Sequence, residues 1–227
     1  MTTESTHTRS IQNETASRAR PATAIVRGVA ATVLLVALVF QIVEKTVNND
    51  MVPGEYFMFF TIQGAIITIA VLVIASFSAW RRPVDSTPIT VARLSVLAYA
   101  VVTAVVYNVL LRGIPDEGFV TTPWPGEIMH VWIPIFIVLD WLLAPGRPAV
   151  KWNALGIVVI YPLAWVGVTL VRGALTQWYP YPFLEPSTGA GSVALYIVAI
   201  AAFIIGIASV GIALARAVAR RRAPSIA

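Results

Sequence analysis

The chain has 227 residues, 58% of them hydrophobic and only 12% charged, and a net charge of +5. A soluble domain carries about 25% charged residues, so the composition points to a membrane protein. There is no cysteine, which excludes disulfides, thiolate metal sites and cysteine nucleophiles.

Residues 1–20 are polar, rich in Thr, Ser, Glu and Arg, and read as a disordered cytoplasmic tail. Six apolar runs follow, at residues 22–43, 56–80, 91–111, 127–143, 154–175 and 193–215. Each approaches the roughly 20 residues that a transmembrane helix needs; the fourth is the shortest. The first run is long, ends at Gln41 and Glu44, and shows no small-x-small cleavage site. It therefore reads as a retained helix rather than a signal peptide. The expectation is an all-α polytopic protein. A six-helix transmembrane domain covers 21–217, with a basic cytoplasmic tail at 218–227.

The basic residues sit at the edges of the apolar runs, which argues for membrane orientation rather than a nucleic-acid patch. Of the 16 Lys and Arg residues, only Lys45, Arg112 and Arg172 fall in the loops after the first, third and fifth runs. Positive residues stay inside, so both termini are expected to be cytoplasmic. The same three loops hold most of the acid, including Glu44, Asp50, Glu55, Asp116, Glu117, Glu127 and Glu185.

This topology gathers polar residues near the outer interface. Thr61 falls about five residues, or about 7 Å, below the outer end of the second helix. His130 enters at a similar depth on the fourth helix, Tyr107 and Asn108 on the third, Arg172 and Thr176 on the fifth. Each has an ordinary reading. A membrane threonine bonds its own i−4 carbonyl, interfacial Trp and Tyr anchor the helix ends, Arg112 and Arg172 snorkel, and Gln63 joins two helices. Asp140, about 15 Å below His130, is expected near the inner end, paired with a basic loop residue. His130 stands out as the only histidine in the membrane body; His7 lies in the tail, so the two make a poor zinc set. Ionisable groups within spans mark function by default.

A threonine hydroxyl becomes a nucleophile when a base takes its proton, and imidazole is the usual base. Thr61 and His130 match in depth and meet if the second and fourth helices adjoin. Glu185, Glu127 and Asp116 are alternatives for the group that orients the base. Gln63, Tyr107, Asn108 or a loop amide could serve the oxyanion. Arg112 or Arg172 could hold a carboxylate on the substrate.

Three segments, YFMFFTIQG, EIMHVWIPIFIVLDWLL and RGALTQWYPYPFLEP, resemble the Pr6Pr group of bacterial six-pass membrane proteins. The resemblance runs from about residue 25 to 215. That group is similar, more distantly, to the androgen-induced-protein family of eukaryotic membrane hydrolases. The family is known for an atypical Thr/His pair that cleaves fatty acid esters of hydroxy fatty acids. The resemblance implies a nucleophile at Thr61 and a base at His130. The YPFLE segment of the resemblance falls on Tyr181–Glu185, and Trp178, Tyr181 and Phe183 of the last outer loop are further substrate-binding candidates. The chain departs from the bacterial pattern at Gly64 and Ala65, where Ser-Asn is expected, and at Asn108, where His is expected. The expected partners are a fatty acid ester and the membrane, with no cofactor, metal or nucleic acid. A non-catalytic lipid-binding or sensing protein is the main alternative. A small proton-coupled transporter is another, although no inverted repeat is visible. A retinal-type photoreceptor lacks a mid-span lysine.

The orientation is tested by a reporter fused after Ala227, expected in the cytoplasm, and by Asp116→Cys, expected to react with an impermeant reagent in intact cells. Labelling of Asp116→Cys only after lysis would reverse the topology.

Overall fold

The computed structural model describes residues 2–114 and 119–222, with side chains from 19 to 220. Asp116 and Glu117, the tail beyond Arg222, and the side chains of His7, Arg9, Arg18, Arg221 and Arg222 lie outside what it describes.

The described chain is helical. The elements are α1 (Thr2–Val47), the short α2 (Pro53–Tyr56), α3 (Phe60–Arg81), α4 (Thr87–Val106), α5 (Pro123–Glu127), α6 (Ile133–Leu143), α7 (Ala154–Thr176) and α8 (Ala190–Arg222). Six segments are long and apolar enough to cross a membrane: Ala19–Val47, Phe60–Arg81, Thr87–Leu111, Pro123–Leu143, Ala154–Thr176 and Ala190–Arg220. Every expected run falls on one of them. The short fourth run is completed by α5 and the turn after it. The first helix, α1, begins at Thr2, ahead of its membrane-length segment.

The bundle is built around α4. Residues 93–100 are buried without a break, which requires neighbours on every side of the helix. Those neighbours are α3, α6, α7 and α8. The α1–α3 pair packs through small side chains, with Ala24, Ala31, Ala75 and Ala79 all nearly inaccessible. Ser76 Oγ donates to the Ala24 carbonyl across that contact at 2.6 Å. Small residues that let backbones approach are the usual basis of helix association in lipid. Large apolar side chains such as Phe77, Val171 and Leu175 point outward.

Prolines shape the spans. Pro162 lies inside α7 and has no N–H for the carbonyl four residues back. That carbonyl, Val158 O, is taken instead by the Tyr99 hydroxyl of α4 at 2.6 Å. Pro134 likewise gives no N–H to His130 O, and its ring would crowd that oxygen. Here the chain opens into a π turn, Ile128–Trp132, in which the Ile133 N–H bonds Ile128 O. Asn108 Nδ2 then donates to His130 O at 3.3 Å. A second π turn, Tyr107–Leu111, closes α4. Two such turns thus face each other across the bundle.

At the end that carries the 82–86 and 144–153 loops, charged side chains are drawn inside. Asp85 accepts from Arg20 Nη2 at 2.8 Å, Arg93 Nη1 at 2.8 Å and Ser78 Oγ at 2.9 Å. Asp140 accepts from Arg27 Nε at 2.8 Å and Arg93 Nη2 at 2.7 Å. Arg27 also lies 3.7 Å from Asp85 and is fully buried. Arg20 reaches further, to Arg82 O and Pro145 O, and the Asp85 N–H bonds Gly146 O. Asp140 is therefore paired with α1 and α4, not with a loop as expected.

Asp85 itself lies in the loop between α3 and α4. Burial alone would raise its carboxyl. The Arg20 hydrogen bond, the charges of Arg93 and Arg20 and the Ser78 hydroxyl outweigh burial and hold it below the ordinary carboxylate range. A carboxyl depressed on folding contributes stability above its unfolded value of about 4. That contribution is lost as pH falls through the lower, folded value. In detergent, the melting temperature should therefore drop as pH falls below about 4. Asp85→Asn should melt far lower at neutral pH, by about 3–5 kcal/mol of stability, the scale for orphaning buried partners. It should also lack the Asp85 part of the acid response. Equal acid sensitivity in both proteins would show that Asp85 carries no such linkage.

Candidate functional site

The opposite end of the bundle holds the aromatic loop 177–189 and the start of α3. The loop is set by Gln177, which ends α7 in the left-handed region at φ 58°. Gly173 adds to this, since a Cβ there would lie 2.1 Å from the Tyr179 ring. Tyr181 is thereby folded inward and buried. It stacks on Phe183 at 5.2 Å and meets Phe59 and Trp165 edge-on or tilted. Burial raises its phenol above the ordinary range, so it is a neutral hydroxyl.

Thr61 is the second residue of α3. Its backbone N–H donates to the Tyr181 hydroxyl at 3.5 Å. The Phe57 carbonyl, to which a helical threonine at 61 would bond back, is engaged by Gln63 Nε2 at 2.7 Å.

An apolar cavity of about 90 Å³ opens beside this pair. Its polar lining comes from Thr61, Thr103, Tyr107 and Tyr181; Trp165 and Phe183 are among its apolar walls. Its lining runs from Leu111 down to Val102 and from Ile197 to Ile204, about 10–14 Å of helix, which is room for a segment of an acyl chain.

His130 stands next to the cavity but not on its wall. The Tyr107 ring lies over the imidazole at 3.7 Å and 12°, and Tyr107 lines the space. Nδ1 of His130 is 2.8 Å from Gly126 O. A carbonyl only accepts, so Nδ1 carries the proton and Nε2 is left as an acceptor in the neutral ring. Backbone Gly126, rather than an acidic side chain, orients the imidazole. Glu127 is in an exposed ion pair with Arg112 at 2.8 Å, and Glu185 is exposed, next to Ser187. Asp116 lies outside the described residues.

The other candidates divide by position on their helices. Gln63 sits two residues, about 200°, round from Thr61. Its amide bridges Phe57 O and the Tyr161 hydroxyl, so it fastens α3 to α7 rather than facing the cavity. Asn108 is engaged by Ala104 O, His130 O and Arg112 Nε. Arg172 lies 4.8 Å over the Trp178 ring. Its Nη1 is buried with no hydrogen-bond partner, and among the described residues no acid is in ion-pair range. Trp178 contacts Phe59 and is not on the cavity wall. Thr103, which sequence reasoning missed, lines the cavity. The signal was present: Tyr99, Thr103 and Tyr107 recur every four residues, a polar stripe on one face of an apolar helix.

These features define an all-helical membrane protein with six candidate spans and an apolar cavity whose polar corner sits at one end of the bundle. Comparison of the chain with family models, with curated proteins and with solved structures gives no match.

Proposed function

We propose that this protein is an integral-membrane hydrolase of lipid esters, with both termini in the cytoplasm of a bacterium and its site toward the outer leaflet of the inner membrane. The observation that carries the reading is Thr61, a hydroxyl at the polar corner of an apolar cavity. A segment of an acyl chain fills the cavity and brings its ester to the threonine. Thr61 Oγ attacks the carbonyl carbon and its proton passes to His130 Nε2. That proton leaves with the alcohol, and water then releases the acyl group from Thr61 by the same base. The Tyr181 hydroxyl, rather than Gln63, is placed to donate to the developing oxyanion. Fatty acid esters of hydroxy fatty acids fit this chemistry, and the resemblance of the TIQG, IMHVW and YPFLE segments supports it. The reading requires Tyr107 to move off the imidazole when substrate binds. Catalytic contacts are often long before substrate arrives.

A second reading is a lipid-binding protein with no chemistry. The Tyr107 ring over His130 favours it, because in this geometry the base is covered.

The two separate in purified protein with nitrophenyl acyl esters. Thr61→Ala and His130→Ala should each lose about a thousandfold or more in kcat, and the double variant little more, since residues acting as one unit are non-additive. Thr61→Ser should keep part of the activity. Turnover by Thr61→Val equal to the wild type would end the nucleophile assignment and leave the binding reading.

Arg172 suits a carboxylate on the lipid, held bidentately above the cavity. Arg172→Leu should raise KM for acid-bearing esters about tenfold, the scale of one charge-assisted contact, and leave neutral esters unchanged. Equal losses on both would make Arg172 structural.

A further inference from the structure

The cavity at Thr61 has a smaller companion. A space of about 20 Å³ lies between α1, α3, α4, the Ile128–Trp132 turn and α6, with Leu34 and Met129 among its walls. Thr61 and Thr103 line both spaces, so the two hydroxyl-bearing residues stand on their shared wall. The smaller one exists because Gly64 and Ala65 fill so little of it. Both are buried, and a Cβ built on Gly64 meets nothing within 4 Å.

We propose that the smaller cavity is a second subsite for a two-armed ester. The polar junction lies against Thr61 and Thr103, the long arm fills the larger cavity, and a short apolar arm enters the smaller one. Gly64 sets the length limit of that short arm. The ester identity of the junction rests on the reading above; the division of the arms rests on the cavities alone. Apolar cavities stay dry, and their walls forgo contacts until something fills them. The two volumes differ by more than twofold, so the arms are unequal. In a membrane the arm passes from lipid hydrocarbon to protein hydrocarbon, and each added methylene gains little. The signature is therefore the length at which the arm overfills its space.

Binding is separated from hydrolysis by using dialkyl ethers, which the enzyme does not cleave. A bromine on the long arm quenches Trp165, which lines the larger cavity; Trp165→Phe should lose that quenching. With the full-length protein in detergent and a series of short arms from methyl upward, affinity should hold and then fall by roughly tenfold at a limiting length, the scale of overpacking. Gly64→Leu should move the limit to shorter arms and leave the methyl ether bound as before. Ala65→Val should do the same, more weakly, if Gly64→Leu does not fold. A series with no limit, or a limit that neither variant moves while the methyl ether still binds, overturns the subsite. Turnover of the matching esters is measured separately. A length limit without hydrolysis overturns the hydrolase reading and keeps the subsite; hydrolysis without a limit does the reverse.

Discussion

Two buried carboxylates hold this bundle together. Asp85 and Asp140 between them receive Arg20, Arg27 and Arg93, and Arg27 touches both. The groups come from α1, the α3–α4 loop, α4 and α6. Bringing them out of water carries a penalty of several kcal/mol per ion, so the cluster is poor evidence of net stability. Its effect lies in geometry. Charged hydrogen bonds are short and directional, and an orphaned partner here would be left in a low-dielectric interior. The register of α1 and α6 against α4 is thus specified at one end by groups that tolerate no slip. Lipid-facing packing gives no such register, because lipid tails are as apolar as the side chains they would replace.

That register is transmitted to the other end. The two helices that share Arg93 and Asp140 also share Tyr107 and His130. Pro134 denies His130 O its helical donor, and the π turn and Asn108 repair the loss. Pro162 frees Val158 O, and Tyr99 repairs it. π turns recur at functional sites, and here two of them hold His130 against Tyr107, which lines the cavity. Both of these disruptions are answered by a side chain from α4 or the turn that closes it, which gives that helix a use for polar residues in so apolar a setting.

The six spans were legible because twenty apolar residues in a row have few other uses. The ionic cluster was not, although its residues were in view. Arg27 and Arg93 looked like flanking charges, since a count of positive residues does not say which turn inward. Asp140 was recognised as deep and acidic, yet its partners lie 113 and 47 residues away in sequence, which no local pattern reports. In the site, position along the bundle axis was legible and angle around the helix was not. Thr61 and Tyr107 share a cavity wall, whereas Gln63 and Asn108, at the same depths, bond elsewhere. Angle could have been read from spacing, as the stripe of Tyr99, Thr103 and Tyr107 shows. The π turns could not, because they shift that angle by a residue where the site begins.

The polar corner itself limits what can occupy it. Thr61, Thr103, Tyr107 and Tyr181 present hydroxyls to a space that is otherwise apolar. Each hydroxyl has one proton to donate, and a buried donor without an acceptor costs about 1–3 kcal/mol. The Tyr181 hydroxyl accepts from the Thr61 backbone N–H, which uses neither hydroxyl proton. A ligand that enters the corner must bring acceptors. An ester carbonyl accepts without donating, so it satisfies hydroxyls and leaves no proton of its own unpaired. A free acid brought to the same place would either ionise in an apolar cavity or add another donor, and both are unfavourable. On the reading proposed above, the corner therefore favours the ester over the acid that its cleavage releases. Arg172 lies off the cavity wall beside Trp178, where a carboxylate can be held without entering the cavity.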